Sequence, residues 1–121
     1  MSKPFYSNKY GATRVGGHAS RKEYNRAAQL RMMQRAGVIS DLREQVPYEL
    51  IPAQYADGVD DKGRHKRVCI EHSCKYIADF VYTDNATGQT VVEDTKGVRT
   101  KEYIIKRKLM LAVHGICIKE I

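Results

Sequence analysis

Two aspartates and a lysine carry the most chemical meaning in this chain. Asp79 interrupts an apolar run, Tyr76-Ile77-Ala78-Asp79-Phe80-Val81-Tyr82. Asp94 and Lys96 lie at the end of a second run, Val91-Val92-Glu93-Asp94-Thr95-Lys96-Gly97. Side chains along a strand repeat with period 2, so Asp94 and Lys96 are expected on one side of a sheet. The stretch between the runs, Thr83 to Gln89, is rich in turn formers. It therefore predicts adjacent antiparallel strands that bring Asp79 beside Asp94 and Lys96. Neighbouring carboxylates repel unless a positive charge lies between them. Oxygen ligands completed by water suit Mg²⁺ or Mn²⁺ rather than zinc. A lysine two positions from a ligand can orient a water or stabilise charge on a reacting phosphate.

The elements that must position these groups can be read on either side of them. Ser20-x-x-Glu23 has the form of a capping box, and Gly37 is a stop signal, which predicts a first helix between them. Ala27, Ala28, Leu30, Met32 and Met33 give it packing residues; Arg21, Lys22, Arg26, Arg31 and Arg35 make it basic. Glu23 shares a face with Ala27 and Leu30, so its carboxylate is expected to point inward. There it either caps the helix or supplies a third acid to the metal site, and one role does not exclude the other. Val38 to Val46 alternates like a half-buried strand, Pro47 interrupts it, and Tyr48 to Ile51 resumes. Residues 53–66 hold Asp57-Gly58, Asp60-Asp61 and Lys62-Gly63-Arg64 and read as a flexible surface loop. Arg67 to His72 reads as a strand joined closely to the Asp79 strand. Thr100 is a plausible cap for a second helix with Ile105, Leu109, Ala112 and Val113 as its core stripe, closed by His114-Gly115. Ile116 to Ile121 reads as a last strand, parallel to its neighbour because a helix crosses over to it.

At 121 residues the chain has the size of one domain, 19–121, preceded by an arm over 1–18. That arm sets Lys3, Lys9 and Arg14 among Phe5, Tyr6 and Tyr10, and is expected either to be mobile or to turn at Gly16-Gly17. No apolar run approaches the roughly 20 residues of a membrane span, and no signal-peptide h-region opens the chain, so the cytoplasm is the expected setting. Three cysteines do not make a disulfide framework. Cys69, His72 and Cys74, with His65 nearby, lack the second Cys/His pair of a zinc site and read as small hydrophobes with a surface histidine. Net charge is +7, and residues 1–36 hold eight Lys/Arg against one acid, Glu23, while the other 13 bases and 13 acids cancel. An excess confined to one arm and one helix is what phosphate-backbone binding uses, although a solvated helix has the same look.

Asp, a gap, then Asp-x-Lys on consecutive strands resembles the PD-(D/E)XK nuclease superfamily, except that Ala78 stands where the proline of that name would be. The likeness extends through Tyr10-Gly11, Gly17, Ser20-x-x-Glu23, Ile39-Ser40-Asp41-Leu42, Gln45, Tyr76 to Phe80, Val92 to Gly97 and Tyr103 to Leu109. Over nearly the whole chain it is similar to a small family encoded by phages and prophages, regarded as endonucleases and long classed as a domain of unknown function.

The resemblance implies an α/β fold with a restriction-endonuclease-like α-β-β-β-α-β core, a mixed sheet flanked by helices. It implies Asp79 and Asp94 as Mg²⁺ or Mn²⁺ ligands, the Thr95 carbonyl as a further oxygen, Lys96 on the attacking water and Glu23 as the helical acid. The expected function is a metal-dependent DNA endonuclease acting on replication, recombination or packaging intermediates, with Lys22, Arg26 and Lys101 as phosphate contacts. Branched-DNA resolvases of the superfamily act as dimers, which leaves a homodimer open although no interface stripe is visible. Two rivals belong to other classes: a DNA-binding accessory module that keeps the fold without its chemistry, and a structural protein of a virion or nucleoprotein complex.

Overall fold

The computed structural model describes residues 20–121. The elements are α1 (Arg21–Arg35), β1 (Ile39–Ile51), β2 (Gln54–Val59), β3 (His65–Glu71), β4 (Cys74–Asp84), β5 (Gln89–Asp94), α2 (Lys101–His114) and β6 (Lys119–Glu120). The basic arm expected over residues 1–18 lies outside the described residues. A four-stranded sheet has the order β1-β4-β5-β6, and β2 and β3 form a separate two-stranded sheet. β4 and β5 are antiparallel while β5 and β6 are parallel, so the larger sheet is mixed and the fold is α/β. Without the β2–β3 hairpin the order is helix, three strands, helix, strand, as the sequence predicts.

The chain divides into two compact units. Among the described residues, one comprises those up to Val46, Ala78–Val98 and Ile118–Ile121; the other comprises Pro47–Ile77 and Arg99–Cys117. In the first, Ser20 caps α1 by accepting the Glu23 N–H at 3.1 Å, a contact worth about 1 kcal/mol. The helix ends where Gly37 adopts φ +80°, and the Val38 N–H reaches back to the Met33 carbonyl at 2.9 Å. The buried face of α1 is Glu23, Ala27 and Leu30, the stripe read from the sequence. Ala27 and Leu30 pack with Ile39, Phe80 and Tyr82, and Met33, Leu42 and Val91 close around them. Asn85, in the β4–β5 turn, donates from its side chain to the Gly37 carbonyl at 2.9 Å and accepts from Ser40 Oγ at 2.8 Å. The turn is thereby fixed to the chain leaving α1.

In the second unit the expected loop over 53–66 is instead most of a hairpin. Val59 pairs with His65 and Asp57 with Arg67, across a turn in which Asp60 Oδ1 accepts the Lys62 and Arg64 N–H groups at 2.9 and 2.8 Å. Every residue of β3 is exposed. The ladder bonds and pairs such as Arg67 over the Tyr55 ring, 4.1 Å from its centroid, hold the strands without burial. β3 thus pairs with β2 and not with the Asp79 strand. In α2, Thr100 caps as expected, accepting the Tyr103 N–H at 3.1 Å, and Gly115 ends the helix at φ +68°. Its buried residues are Tyr103 and Met110, not the expected stripe, in which Ile105 and Val113 are more than half exposed. Among the described residues no helix is long and apolar enough to cross a membrane.

Candidate metal centre

The site lies within the first unit, where the carboxyl end of β5 meets β4. β5 is an inner strand, paired at Glu93 and Asp94 with β6, and just beyond β6 the Ile121 N–H bonds the Asp94 carbonyl at 3.0 Å. Phe80 pairs with Glu93 as the last pair of the β4–β5 ladder, and Asp79 and Asp94 are the next residues beyond it on their two strands. The strand ends there, so Thr95 and Lys96 leave the pleat. Thr95 turns back and donates both its N–H and its hydroxyl to Asp79 Oδ2, each at 2.9 Å. Two hydrogen bonds on one oxygen orient the carboxylate and leave Asp79 Oδ1 facing Gln45.

Gln45, on β1, joins two of the expected acids. Its amide nitrogen donates to Glu23 Oε2 at 3.0 Å and lies 3.5 Å from Asp79 Oδ1. The residue holds φ +54°, a left-handed conformation uncommon for any side chain but glycine and worth of order 1 kcal/mol of strain. Asp94 is 1% exposed, and its Oδ1 lies 3.5 Å from Lys96 Nζ. The Asp-x-Lys spacing thus delivers the ammonium to the carboxylate, as expected, though through a bend after the strand. Lys22 Nζ donates to the Lys96 carbonyl at 3.4 Å, which ties α1 to the same bend.

Glu93 was invisible as a functional residue in the sequence. It is completely buried and accepts a two-pronged bond from Arg26: Nε to Oε1 at 2.8 Å and Nη2 to Oε2 at 2.6 Å. The Tyr82 hydroxyl donates to Glu93 Oε2 as well. The guanidinium expected to meet phosphate is therefore engaged inside the protein, where it neutralises a buried acid and fastens the helix bearing Glu23 to the strand bearing Asp94. Its partner raises the Arg26 pKa further above the ordinary guanidinium range. Burial first, and then Glu93, push the Tyr82 hydroxyl well above its usual 10.0. The folded protein then keeps a proton that the unfolded chain releases, so this contribution is complete below about pH 10 and is lost as pH rises. Urea melts from pH 8 to 11 are expected to show a shallower alkaline loss of stability in Tyr82→Phe than in the parent. Equal slopes would show that the hydroxyl does not hold this proton.

Among the described residues no group of three or more His, Cys, Asp or Glu stands at metal-binding spacing. Of the three expected acids, Glu23 and Asp79 meet at Gln45, whereas Asp94 Oδ1 faces Lys96. The donor chemistry nevertheless fits a hard cation. Mg²⁺ commonly binds through one or two carboxylates and keeps several waters, and Glu23 and Asp79 turn oxygens toward one point. Lys101, the first residue of α2, is exposed in the other unit. Cys69 Sγ lies 3.7 Å from His72 Nδ1, and Cys69, Cys74 and Cys117 are free thiols.

Neither the curated proteins nor the solved structures contain a match to this chain. A family model described as "Protein of unknown function (DUF1064)" matches residues 7–115, which include the candidate site from Glu23 to Lys96. The chain belongs to the DUF1064 family.

Proposed function

We propose that this protein is a Mg²⁺- or Mn²⁺-dependent endonuclease of the PD-(D/E)XK kind that hydrolyses phosphodiester bonds in DNA. The supporting observation is the junction of Glu23, Gln45 and Asp79 beside the Asp94–Lys96 pair, with Asp79 and Asp94 on consecutive strands of one hairpin and Lys96 in the bend that follows. Asp79, Asp94 and Glu23, with the Thr95 carbonyl, would hold the cation, which when bound polarises the scissile phosphate and lowers the pKa of a water. Thr95 orients the Asp79 carboxylate through its two hydrogen bonds. Lys96, held against Asp94, supplies the positive charge where negative charge builds on the reacting phosphate. Lys22 and Lys101, both exposed, are the proposed phosphate contacts; Arg26 is excluded from that role by its engagement with Glu93. The substrates are branched or other intermediates of replication, recombination or packaging, met in the cytoplasm of a phage-infected or prophage-bearing cell.

Incubation of branched, nicked and linear DNA with Mn²⁺ or with EDTA tests this directly. Cleavage that needs the cation is the expected result. That no group of three such ligands stands together among the described residues favours one rival, a DNA-binding module that retains the fold without chemistry. Tight binding without products on any of the three DNAs, unchanged when Asp79 and Asp94 are replaced, would establish that module instead.

A further inference from the structure

We propose that Gln45 is itself a ligand of the cation, reached when its side-chain amide turns over. The proposal rests on the metal-site reading above and adds to it a residue outside the acid-and-lysine motif. Two carboxylates can be bridged only by a donor, so the Gln45 nitrogen must face Glu23 Oε2 at 3.0 Å and Asp79 Oδ1 at 3.5 Å. A divalent cation would join the same two oxygens by coordination, and the amide hydrogens and the cation compete for the same lone pairs. The two ends of a primary amide are nearly isosteric. A half-turn about the last side-chain bond replaces the donor with Oε1, a hard neutral oxygen of the type Mg²⁺ and Mn²⁺ accept. Gln45 thus holds the two acids together in one setting and completes the oxygen set around the cation in the other. Its left-handed backbone lifts it out of the regular alternation of β1, and the residue is exposed, so the amide has room to turn.

A merely structural Gln45 makes the opposite prediction, which gives the test its sign. If the amide only occupies the acids, removing it frees them and Mn²⁺ binds as well as before or more tightly. If Oε1 is a ligand, removing it weakens binding. Gln45→Met preserves the shape of the side chain without a hard oxygen. Titration of free Mn²⁺ by its paramagnetic resonance signal is expected to show binding about tenfold weaker than in the parent. Gln45→Glu, which restores an oxygen, should bind at least as tightly as the parent. Unchanged or tighter binding by Gln45→Met overturns the proposal while leaving the metal site standing; a parent that binds no Mn²⁺ overturns both.

The parent protein supplies a second readout that survives any failure of the variants to fold. In ¹⁵N-labelled protein the Gln45 side-chain amide pair is expected to shift upfield on addition of Mg²⁺, as its bonds to the carboxylates are released. An amide pair that keeps its position through saturation with Mg²⁺ overturns the proposal.

Discussion

Asp79→Asn is expected to lose metal-dependent DNA cleavage by two orders of magnitude or more while remaining folded. Asp79 meets water at one side and is only part-buried, so the exchange of an oxygen for a nitrogen leaves no large void. Thr95 keeps its acceptor, because the asparagine carbonyl can take the N–H and hydroxyl bonds that Asp79 Oδ2 takes at 2.9 Å. What disappears is the negative charge, and with it an oxygen able to bind a cation on the side facing Gln45. A hundredfold loss corresponds to about 2.7 kcal/mol of transition-state stabilisation, within the range expected when a cation that polarises phosphate is lost. Asp94→Asn should reach a similar loss by another route, since it leaves Lys96 without the carboxylate 3.5 Å away. Single-turnover cleavage in Mn²⁺, run beside circular dichroism melts, separates lost chemistry from lost fold. An Asp79→Asn protein that nicks DNA at the parental rate would overturn the assignment of the cation to Asp79.

Much of this arrangement was legible in the sequence because its signals are local. The β4–β5 hairpin declared itself through two apolar runs around a turn, and the caps of both helices lie within three residues of the groups they serve. Glu23 was expected to point inward from its spacing to Ala27 and Leu30, and it is 5% exposed. The parallel last strand followed from a helix intervening after β5. The misreadings have physical causes of their own. β2 buries almost nothing, so it and the first residues of β3 were read as loop, where glycines at 58 and 63 gave the composition of one, while the rest of β3 was read as a strand. Pro47 did not end β1, because β1 is an edge strand and proline is tolerated where no inner ladder bond is lost. In α2, apolar residues lie on several sides, and spacing alone could not choose Tyr103 and Met110 over Ile105 and Val113. Gln45 and Glu93 gave no local signal as site residues. Each takes its meaning from partners 11 to 67 residues away, which only the folded chain brings near.

Arg26 presents the sharpest separation between a structural and a DNA-binding role. Its side chain is 15% exposed and its partner Glu93 is fully buried. Removing the guanidinium by Arg26→Ala would strand that buried carboxylate beside the Tyr82 hydroxyl, and breaking a buried pair from one side costs about 3 kcal/mol. For a chain of this size that lowers the melting temperature by about 10 °C. The penalty comes from a charge left behind, so removing both charges should relieve it. Arg26→Met combined with Glu93→Leu is expected to recover most of the lost stability, because hydrophobic replacement of a buried pair is commonly neutral or better. A phosphate contact would behave otherwise. Its loss would leave the melt unchanged and reduce the salt dependence of DNA binding by about one released counterion. Urea denaturation of the single and double variants, with DNA affinity measured across a salt series, therefore assigns Arg26. A stable Arg26→Ala protein with a shallower salt slope would return it to the DNA interface. An unstable one rescued by the double substitution fixes it as the clamp between the helix of Glu23 and the strand of Asp94.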